Sequence, residues 1–212
     1  MTNYDSIVNE KLESLKDSGN YRIFLDVEKN TGTFPHFQFT LDRKKHKATN
    51  WCSNDYLGMS TNIDVIETAR DVLSISGSGS GGTRNISGTT THHKNLENSL
   101  AKLHNKDSAL IFNGAYMANL TTLMTLGKIF ENLIYFSDEQ NHASLIEGMR
   151  ASRCEKQIFD HNNLEQLEQM LKAQDINRPK VIVFESVYSM TGTTASIREI
   201  VALAKKYNAL TY

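Results

Sequence analysis

Apolar positions in the second half of the chain recur in two alternating patterns. Short apolar runs with strand composition, such as "LIYFS" at 133–137 and "KVIVFES" at 180–186, are separated by segments whose apolar residues recur at helical spacing. The predicted order is helix 92–105, strand 108–112, helix 115–126, strand 133–137, helix 144–152, strand 155–159, helix 163–173, strand 180–186, helix 196–208 and strand 209–212. This alternation predicts an α/β domain with a mostly parallel sheet and helices on both of its faces.

The first fifty residues follow different patterns. One amphipathic helix that ends at Gly19 is predicted by apolar residues at helical spacing, namely Tyr4, Ile7, Val8, Leu12 and Leu15. The segment "FQFTLDRKKHKATNW" alternates apolar and polar residues on both sides of a charged turn, which predicts a small antiparallel hairpin. We therefore expect a helix and hairpin segment over residues 1–50 and a large domain over residues 51–212.

A glycine-rich segment within the predicted large domain has the spacing of a dinucleotide-binding loop. Its "GSGSGG" at 77–82 matches Gly-x-Gly-x-x-Gly, which binds a pyrophosphate only when a strand precedes it and a helix follows. The preceding "NIDVIETARDVLSIS" predicts a helix capped by Asn62 instead, and Glu97 falls within the next predicted helix. The context therefore argues against an NAD site. The polar side chains that crowd the segment indicate a binding loop and not a flexible linker.

Composition narrows the function classes further. The chain has 212 residues, 39% hydrophobic residues and a net charge of -1, which is typical of a globular domain with an ample core. A pI near 6.7 gives no electrostatic argument for nucleic acid. Two cysteines are too few for a disulfide framework, and no apolar run is long enough for a membrane span. Because the first residues lack the features of a signal or transit peptide, we expect a cytoplasmic protein.

Four segments carry a family resemblance. These are "WCSNDYLGMS" (51–60), "GSGSGGTRNISGTTTHHKNLE" (77–97), "SDEQNHASLIEGMR" (137–150) and "FESVYSMTG" (184–192). In this order they resemble the signature segments of the 5-aminolevulinate synthases, which are α-oxoamine synthases of the fold-type-I group that depends on pyridoxal 5'-phosphate (PLP). The resemblance covers nearly all of this chain but about half of a family member. It implies the truncated large domain of such an enzyme, with a small helix and hairpin segment before it.

The resemblance also implies a reaction and its participants. Family members are homodimers that condense glycine with succinyl-CoA to give 5-aminolevulinate, CoA and CO2, the first step of tetrapyrrole and haem biosynthesis. We therefore expect glycine and succinyl-CoA as substrates, PLP as the cofactor and no metal, with neither nucleic acid nor membrane as a partner.

For the cofactor, the resemblance implies five residues: Asn54, Ala115, Tyr116, His142 and Ser189. His142 would stack on the cofactor ring, Ser189 would bind its phenolic oxygen, and the helix start at Ala115 and Tyr116 would receive its phosphate. The residues alone permit plainer interpretations. His142 would also fit as a loop histidine bonded to backbone, and Ser189 as a turn residue.

For the substrates, the resemblance implies a second set of residues. Arg22, Thr83 and Asn85 would contact the succinyl carboxylate, and a guanidinium fork suits that group chemically. Ser137 and Lys156 match further substrate-contacting positions. Without the resemblance, Arg22 and Lys156 would be interpreted as solvated surface charges.

One family feature is expected to be missing from this chain. In the family, the aspartate that pairs with the pyridine nitrogen follows the strand that matches "ALTY", and the Schiff-base lysine comes later still. We therefore expect residues 1–212 to be inactive alone. Two alternatives stay open at this point: another α-oxoamine synthase, of the 2-amino-3-ketobutyrate CoA ligase or 8-amino-7-oxononanoate synthase type, or an inactive fragment of a split gene.

Overall fold

A computed structural model describes residues 2–212 and divides the chain into two compact units. One unit extends to Thr83 and the other begins at Arg84. The domain boundary predicted between residues 50 and 51 stays a prediction. Of the helices between residues 2 and 212, none combines the length and apolar character that crossing a bilayer requires.

The first unit contains the predicted helix and hairpin. Helix α1 (Tyr4–Asp17) begins where the Asn3 side chain accepts a hydrogen bond from the Ser6 amide. Three antiparallel strands follow in the order β1 (Asp26–Lys29), β2 (His36–Leu41) and β3 (Lys44–Thr49). Strands β2 and β3 confirm the hairpin. Strand β1 was not predicted, because its sequence "DVEK" is mostly charged and all four of its residues are exposed.

A helix leads into the glycine-rich segment, as the sequence predicted. Helix α2 (Ile63–Ser76) is capped by the Asn62 side chain, which accepts from the amides of Asp64 and Val65. The segment then continues through bends to one π-helical turn, Arg84–Gly88. Because no strand precedes the glycines, the strand-turn-helix geometry of a dinucleotide site is absent from this part of the described chain.

The second unit confirms the α/β prediction. Its elements are α3 (Thr91–Leu103), α4 (Ala115–Ile129), β4 (Ile134–Asp138), α5 (Ala143–Ser152), β5 (Glu155–Phe159), α6 (Leu164–Lys172), β6 (Lys180–Val183), α7 (Ile197–Lys206) and β7 (Leu210–Thr211). The four strands pair in parallel in the order β5-β4-β6-β7. Strand β4 is central and all five of its residues are buried.

Each face of this sheet has its own core. Ile134 and Phe136 of β4 pack with buried residues of α6 and α7, such as Leu167 and Ile200. Tyr135, between them in sequence, points to the opposite face and packs with buried residues of α4 and α5. Helices therefore cover both faces, as expected for a sheet buried on both sides.

The prediction of a strand at 108–112 was wrong. Residues 108–112 form no strand, although their sequence "SALIF" has strand composition. The Ile111 amide donates to Glu97 Oε1 at 3.2 Å, and its carbonyl accepts from Arg84 Nη1 at 3.2 Å. A strand forms only when its backbone amides and carbonyls pair with a neighbouring strand. Among residues 2–212, the amide and the carbonyl of Ile111 are bound by the side chains of Glu97 and Arg84 instead.

Candidate functional site

The loops after β4 and β6 meet at the carboxyl ends of the strands, where parallel α/β sheets bind ligands. Asn141, after β4, donates from Nδ2 to the carbonyl of Val183 at 2.8 Å and to Ser137 Oγ at 2.9 Å. The His142 amide donates to Glu185 Oε1 at 2.5 Å. Two long-range contacts thus fix the backbone on which His142 is presented.

His142 lies exposed at the start of α5. Its Nδ1 accepts a hydrogen bond from the Ser144 amide at 3.1 Å, which makes His142 the N-cap of the helix. The ring of Tyr116, in the first turn of α4, meets the His142 ring edge-on with centroids 6.2 Å apart. Two of the residues predicted to bind the cofactor are therefore neighbours.

The start of α4 fits an anion. Gly114 occupies the N-cap position and provides no side-chain cap, and the first turn from Ala115 contains no acidic residue. The amides of that turn carry the positive end of the helix dipole, which favours a phosphate. With two aromatic rings beside this helix start, the residues present fit a phosphorylated aromatic cofactor such as PLP.

A second hydrogen-bond network supports the turn that carries Ser189. His161, after β5, bonds from Nδ1 to Asp138 Oδ1 at 2.9 Å and from Nε2 to Thr193 Oγ1 at 2.7 Å. The ring of Tyr188, next to Ser189 in sequence, meets the His161 ring edge-on with centroids 4.5 Å apart. Burial, with a smaller contribution from the Asp138 charge, raises the pKa of the Tyr188 hydroxyl. Ser189 itself is exposed.

Two predicted substrate residues lie on the sheet of the second unit. Ser137, in β4, is buried, and its hydroxyl donates to the Asp138 carbonyl at 3.1 Å and accepts from Asn141. Lys156, in the edge strand β5, is exposed and pairs in register with Tyr135. Because strand residues alternate between faces, Lys156 and Ser137 share one face of the sheet.

The residues predicted to contact the succinyl carboxylate are divided between the two units. Arg22 and Thr83 belong to the first unit, and Asn85 lies on the π-helical turn of the second. All three are exposed, as is Asn54 of the first unit. Their assignment to the carboxylate and the cofactor stays a prediction.

Lys180 is a buried lysine with a lowered pKa, a signature that often marks functional lysines. It is 2% exposed, and burial lowers the pKa of its ammonium group. However, Lys180 begins β6, at the amino ends of the strands, and its Nζ donates to the carbonyls of Asp175, Ile176 and Arg178 at 2.7, 3.1 and 2.7 Å. Its three protons are therefore used to hold a loop, away from the ligand edge of the sheet.

Other features of the described residues contribute no chemistry to this site. Between residues 2 and 212, no group of three or more metal-ligating side chains comes together, and both cysteines are free thiols. A hollow of about 370 Å³ lies on the hairpin sheet of the first unit and is lined by none of the predicted site residues.

Sequence reasoning missed three residues around His142. Glu185 and Ser144 form hydrogen bonds with His142 directly, and Asn119 is linked to it through Ser144. Of these, only Ser144 gave a local signal, because it lies two residues after a candidate N-cap. Glu185 and Asn119 reach this position from other elements, which a single sequence does not reveal.

Comparison with protein families gives one match over most of the chain. A family model described as aminotransferase class I and II matches residues 46–212. Curated 5-aminolevulinate synthases are similar over the whole chain: that of Rickettsia prowazekii is 45% identical over 212 residues, and that of Rhizobium meliloti is 47% identical over 210 residues. The chain covers 50% and 52% of these two relatives, so it spans about half the length of the curated relatives it matches.

Solved structures of other proteins have the same fold as this chain. Serine palmitoyltransferase from S. paucimobilis, in a complex with PLP and myriocin, superposes on 98% of this chain with a TM-score of 0.83 and 30% identity, and the chain covers 50% of it. An 8-amino-7-oxononanoate synthase from Francisella tularensis superposes on 72% of the chain with a TM-score of 0.60 and 25% identity, and 41% of that protein is covered. The predicted fold-type-I architecture, present here in part, is thereby confirmed.

Proposed function

Because the chain belongs to the aminotransferase class I and II family, we propose that it provides part of the active site of a PLP-dependent 5-aminolevulinate synthase. That enzyme condenses glycine with succinyl-CoA and releases 5-aminolevulinate, CoA and CO2. One observation carries the proposal: His142 and Tyr116 lie side by side next to an uncapped helix start, in a chain 45% to 47% identical to such synthases.

The cofactor, when bound, supplies an electron sink for the carbanion chemistry of the amino acid. The residues of this chain supply its binding site. The amides at Ala115 and Tyr116 would hold the phosphate, the His142 ring would lie against the cofactor ring, and Ser189 would bind a cofactor oxygen. Asn54 completes this set near the amino-acid substrate.

Arg22 holds the succinyl carboxylate through its guanidinium fork, together with Thr83 and Asn85. Ser137 and Lys156 contact the acyl-CoA substrate. A carboxylate at the end of the acyl chain is the feature that separates succinyl-CoA from acetyl-CoA, and a dedicated arginine recognises that feature.

A second α-oxoamine synthase activity is the alternative. It is favoured by the superposition on serine palmitoyltransferase, whose name indicates a different substrate pair. The two candidates differ in the role of Arg22 where the alternative acyl group is uncharged, because an acetyl or palmitoyl group has no carboxylate for a guanidinium to bind.

The proposal includes a homodimer located in the cytoplasm. Large apolar side chains are exposed on the chain, among them Phe24 at 95% and Trp51 at 90%, and an assembly would cover such surface. Sedimentation of the assembled enzyme would test this part, and a monomer at micromolar concentration would count against it.

The decisive experiment joins residues 1–212 to the second half of the Paracoccus denitrificans relative, which is 46% identical to the chain over 210 residues. The fused enzyme should form 5-aminolevulinate from glycine and succinyl-CoA, and acetyl-CoA or pimeloyl-CoA should replace succinyl-CoA poorly. Preference for either of these two thioesters would favour the alternative.

Arg22→Ala in the fused enzyme sharpens the test. Loss of a charge-assisted contact should raise KM for succinyl-CoA about tenfold to a hundredfold and leave KM for glycine nearly unchanged. Arg70→Ala is the matched control, since Arg70 forms an exposed pair with Glu67 on α2. Equal kinetics for the two variants would remove Arg22 from the site.

A further inference from the structure

The His142 ring is held by a chain of hydrogen bonds whose direction can be deduced. A backbone amide always donates, so the bond of 3.1 Å from the Ser144 amide means that His142 Nδ1 accepts and carries no proton. The proton of the ring is therefore on Nε2, and the ring is neutral in this arrangement.

The remaining directions follow from this one. Ser144 Oγ lies 2.8 Å from Nδ1, so its hydroxyl must donate to the ring. Its oxygen then accepts from Asn119 Nδ2 at 2.9 Å. The amide oxygen of Asn119 consequently faces Tyr212, whose hydroxyl donates to it at 2.9 Å.

Each member of this chain is fixed by a different element. Ser144 is 1% exposed within α5, and Asn119 lies in α4. Tyr212 follows β7, where its amide donates to the Ile182 carbonyl at 2.8 Å and its carbonyl accepts from the Phe184 amide at 3.1 Å. Burial raises the pKa of the Tyr212 hydroxyl, so this group keeps its proton and can donate.

We propose that Tyr212, Asn119 and Ser144 are positioning residues that hold His142 as a neutral ring with its proton on Nε2. The benefit of this arrangement rests on the proposed function. A neutral His142 ring can lie against a cationic pyridine ring without charge repulsion, and its Nε2–H group stays available as a hydrogen-bond donor. The three residues act through His142 and not on the cofactor themselves.

Nitrogen-15 NMR of the His142 ring in residues 1–212, without any ligand, tests the proposal. The parent should show a protonated Nε2 and an unprotonated Nδ1. Ser144→Ala removes one of two donors to Nδ1, so the ratio of the two tautomers should fall about fivefold, the effect of one ordinary hydrogen bond. Asn119→Leu should give a smaller shift in the same direction, and Tyr212→Phe the smallest.

Tyr135→Phe is the matched control. Its hydroxyl donates to the Leu123 carbonyl of α4 at 2.6 Å, so this variant loses a buried hydrogen bond to the same helix without touching the chain to His142. Its tautomer ratio should equal that of the parent. A protonated Nδ1 in the parent would overturn the proposal, and so would an unchanged ratio in both Ser144→Ala and Asn119→Leu.

Titration of the fused enzyme, as the parent and as its Ser144→Ala variant, with 4'-deoxypyridoxine 5'-phosphate separates this proposal from the proposed function. This PLP analogue lacks the aldehyde and cannot label lysines. Binding to the parent that weakens severalfold in Ser144→Ala would support both proposals. If the NMR results are as expected but the parent does not bind the analogue, the positioning of His142 stands and the proposed function is contradicted.

Discussion

The two compact units differ in what holds their elements in place. Every buried apolar side chain among residues 2–212 lies from Ala101 onward, whereas α1 and α2 of the first unit contain no buried residue. Side-chain caps at Asn3 and Asn62 nevertheless start both helices where the sequence indicates. Local signals therefore define elements in both units, but only the second unit adds the burial from which most helical stability comes.

The largest expected effect is a contrast between two phenylalanines. Phe136 is fully buried and Phe24 is 95% exposed. Phe136→Ala should lower the free energy of unfolding by about 3 to 5 kcal/mol, because it removes a core side chain and leaves a cavity. Phe24→Ala should change it by less than about 0.5 kcal/mol. Chemical denaturation measures both, and a large loss for Phe24→Ala would show that this side chain is covered in solution.

Two glycines make a similar contrast with a smaller expected effect. A Cβ on Gly148 would lie 3.0 Å from the Asn119 carbonyl oxygen and 3.0 Å from Leu123 Cβ, whereas a Cβ on Gly79 would meet nothing within 4 Å. Gly148→Ala should therefore cost about 1 to 3 kcal/mol through overpacking of α4 against α5. Gly79→Ala should be neutral or stabilise by up to about 1 kcal/mol. Thermal unfolding measures both variants, and a Gly79→Ala variant that is less stable than Gly148→Ala would contradict the prediction.

An acidic group of the second unit gives a pH-dependent test. The Arg84 guanidinium, with the Ile111 amide, lowers the pKa of Glu97 from 4.5 to about 2. Because the folded pKa lies below the unfolded one, the ionised carboxylate stabilises the fold above about pH 4.5, and this contribution is lost as the pH falls toward 2. Glu97→Gln should therefore be less stable than the parent at pH 7, with a difference that shrinks on acidification.

Glu67→Gln serves as the control for the pH series. Its pair with Arg70 is exposed at both ends, so it should have little effect at any pH. A loss of stability in Glu97→Gln that is the same at pH 7 and pH 3 would mean that the charge of Glu97 is not what stabilises this site.

The smallest expected effect on stability concerns Trp51, the single tryptophan of the chain. Trp51 is 90% exposed, so in residues 1–212 without the second half of the enzyme, Trp51→Phe should change the free energy of unfolding by less than about 0.5 kcal/mol. Its fluorescence should be red-shifted and readily quenched by acrylamide. A blue-shifted, protected emission would instead indicate that the first unit acquires cover through self-association.

Most elements could be predicted because their patterns are local. The helical period of "LEQLEQMLK" and the buried run "LIYFS" each contain the information that forms α6 and β4. The prediction at 108–112 failed because strand composition does not supply a pairing partner, and Arg84 and Glu97 bind Ile111 instead. A charged strand such as β1 gives no apolar signal at all.

The candidate site was predictable in part for a related reason. His142 follows a buried strand, so its place at the carboxyl edge of the sheet could be expected. Its partners could not, because Glu185 and Asn119 lie far from it in sequence and reach it, directly or through Ser144, only after the elements have packed together. The resemblance to a family supplied roles for individual residues, and the structure supplied the contacts between them.

The strand order β5-β4-β6-β7 has a consequence for assembly during translation. Strand β4 is the first of the four to leave the ribosome, and it occupies the centre of the sheet. Strand β5 then adds to one edge of β4, β6 adds to the other, and β7 adds beside β6. None of these four strands has to enter between two that are already paired, so this part of the sheet can grow outward in the order of synthesis.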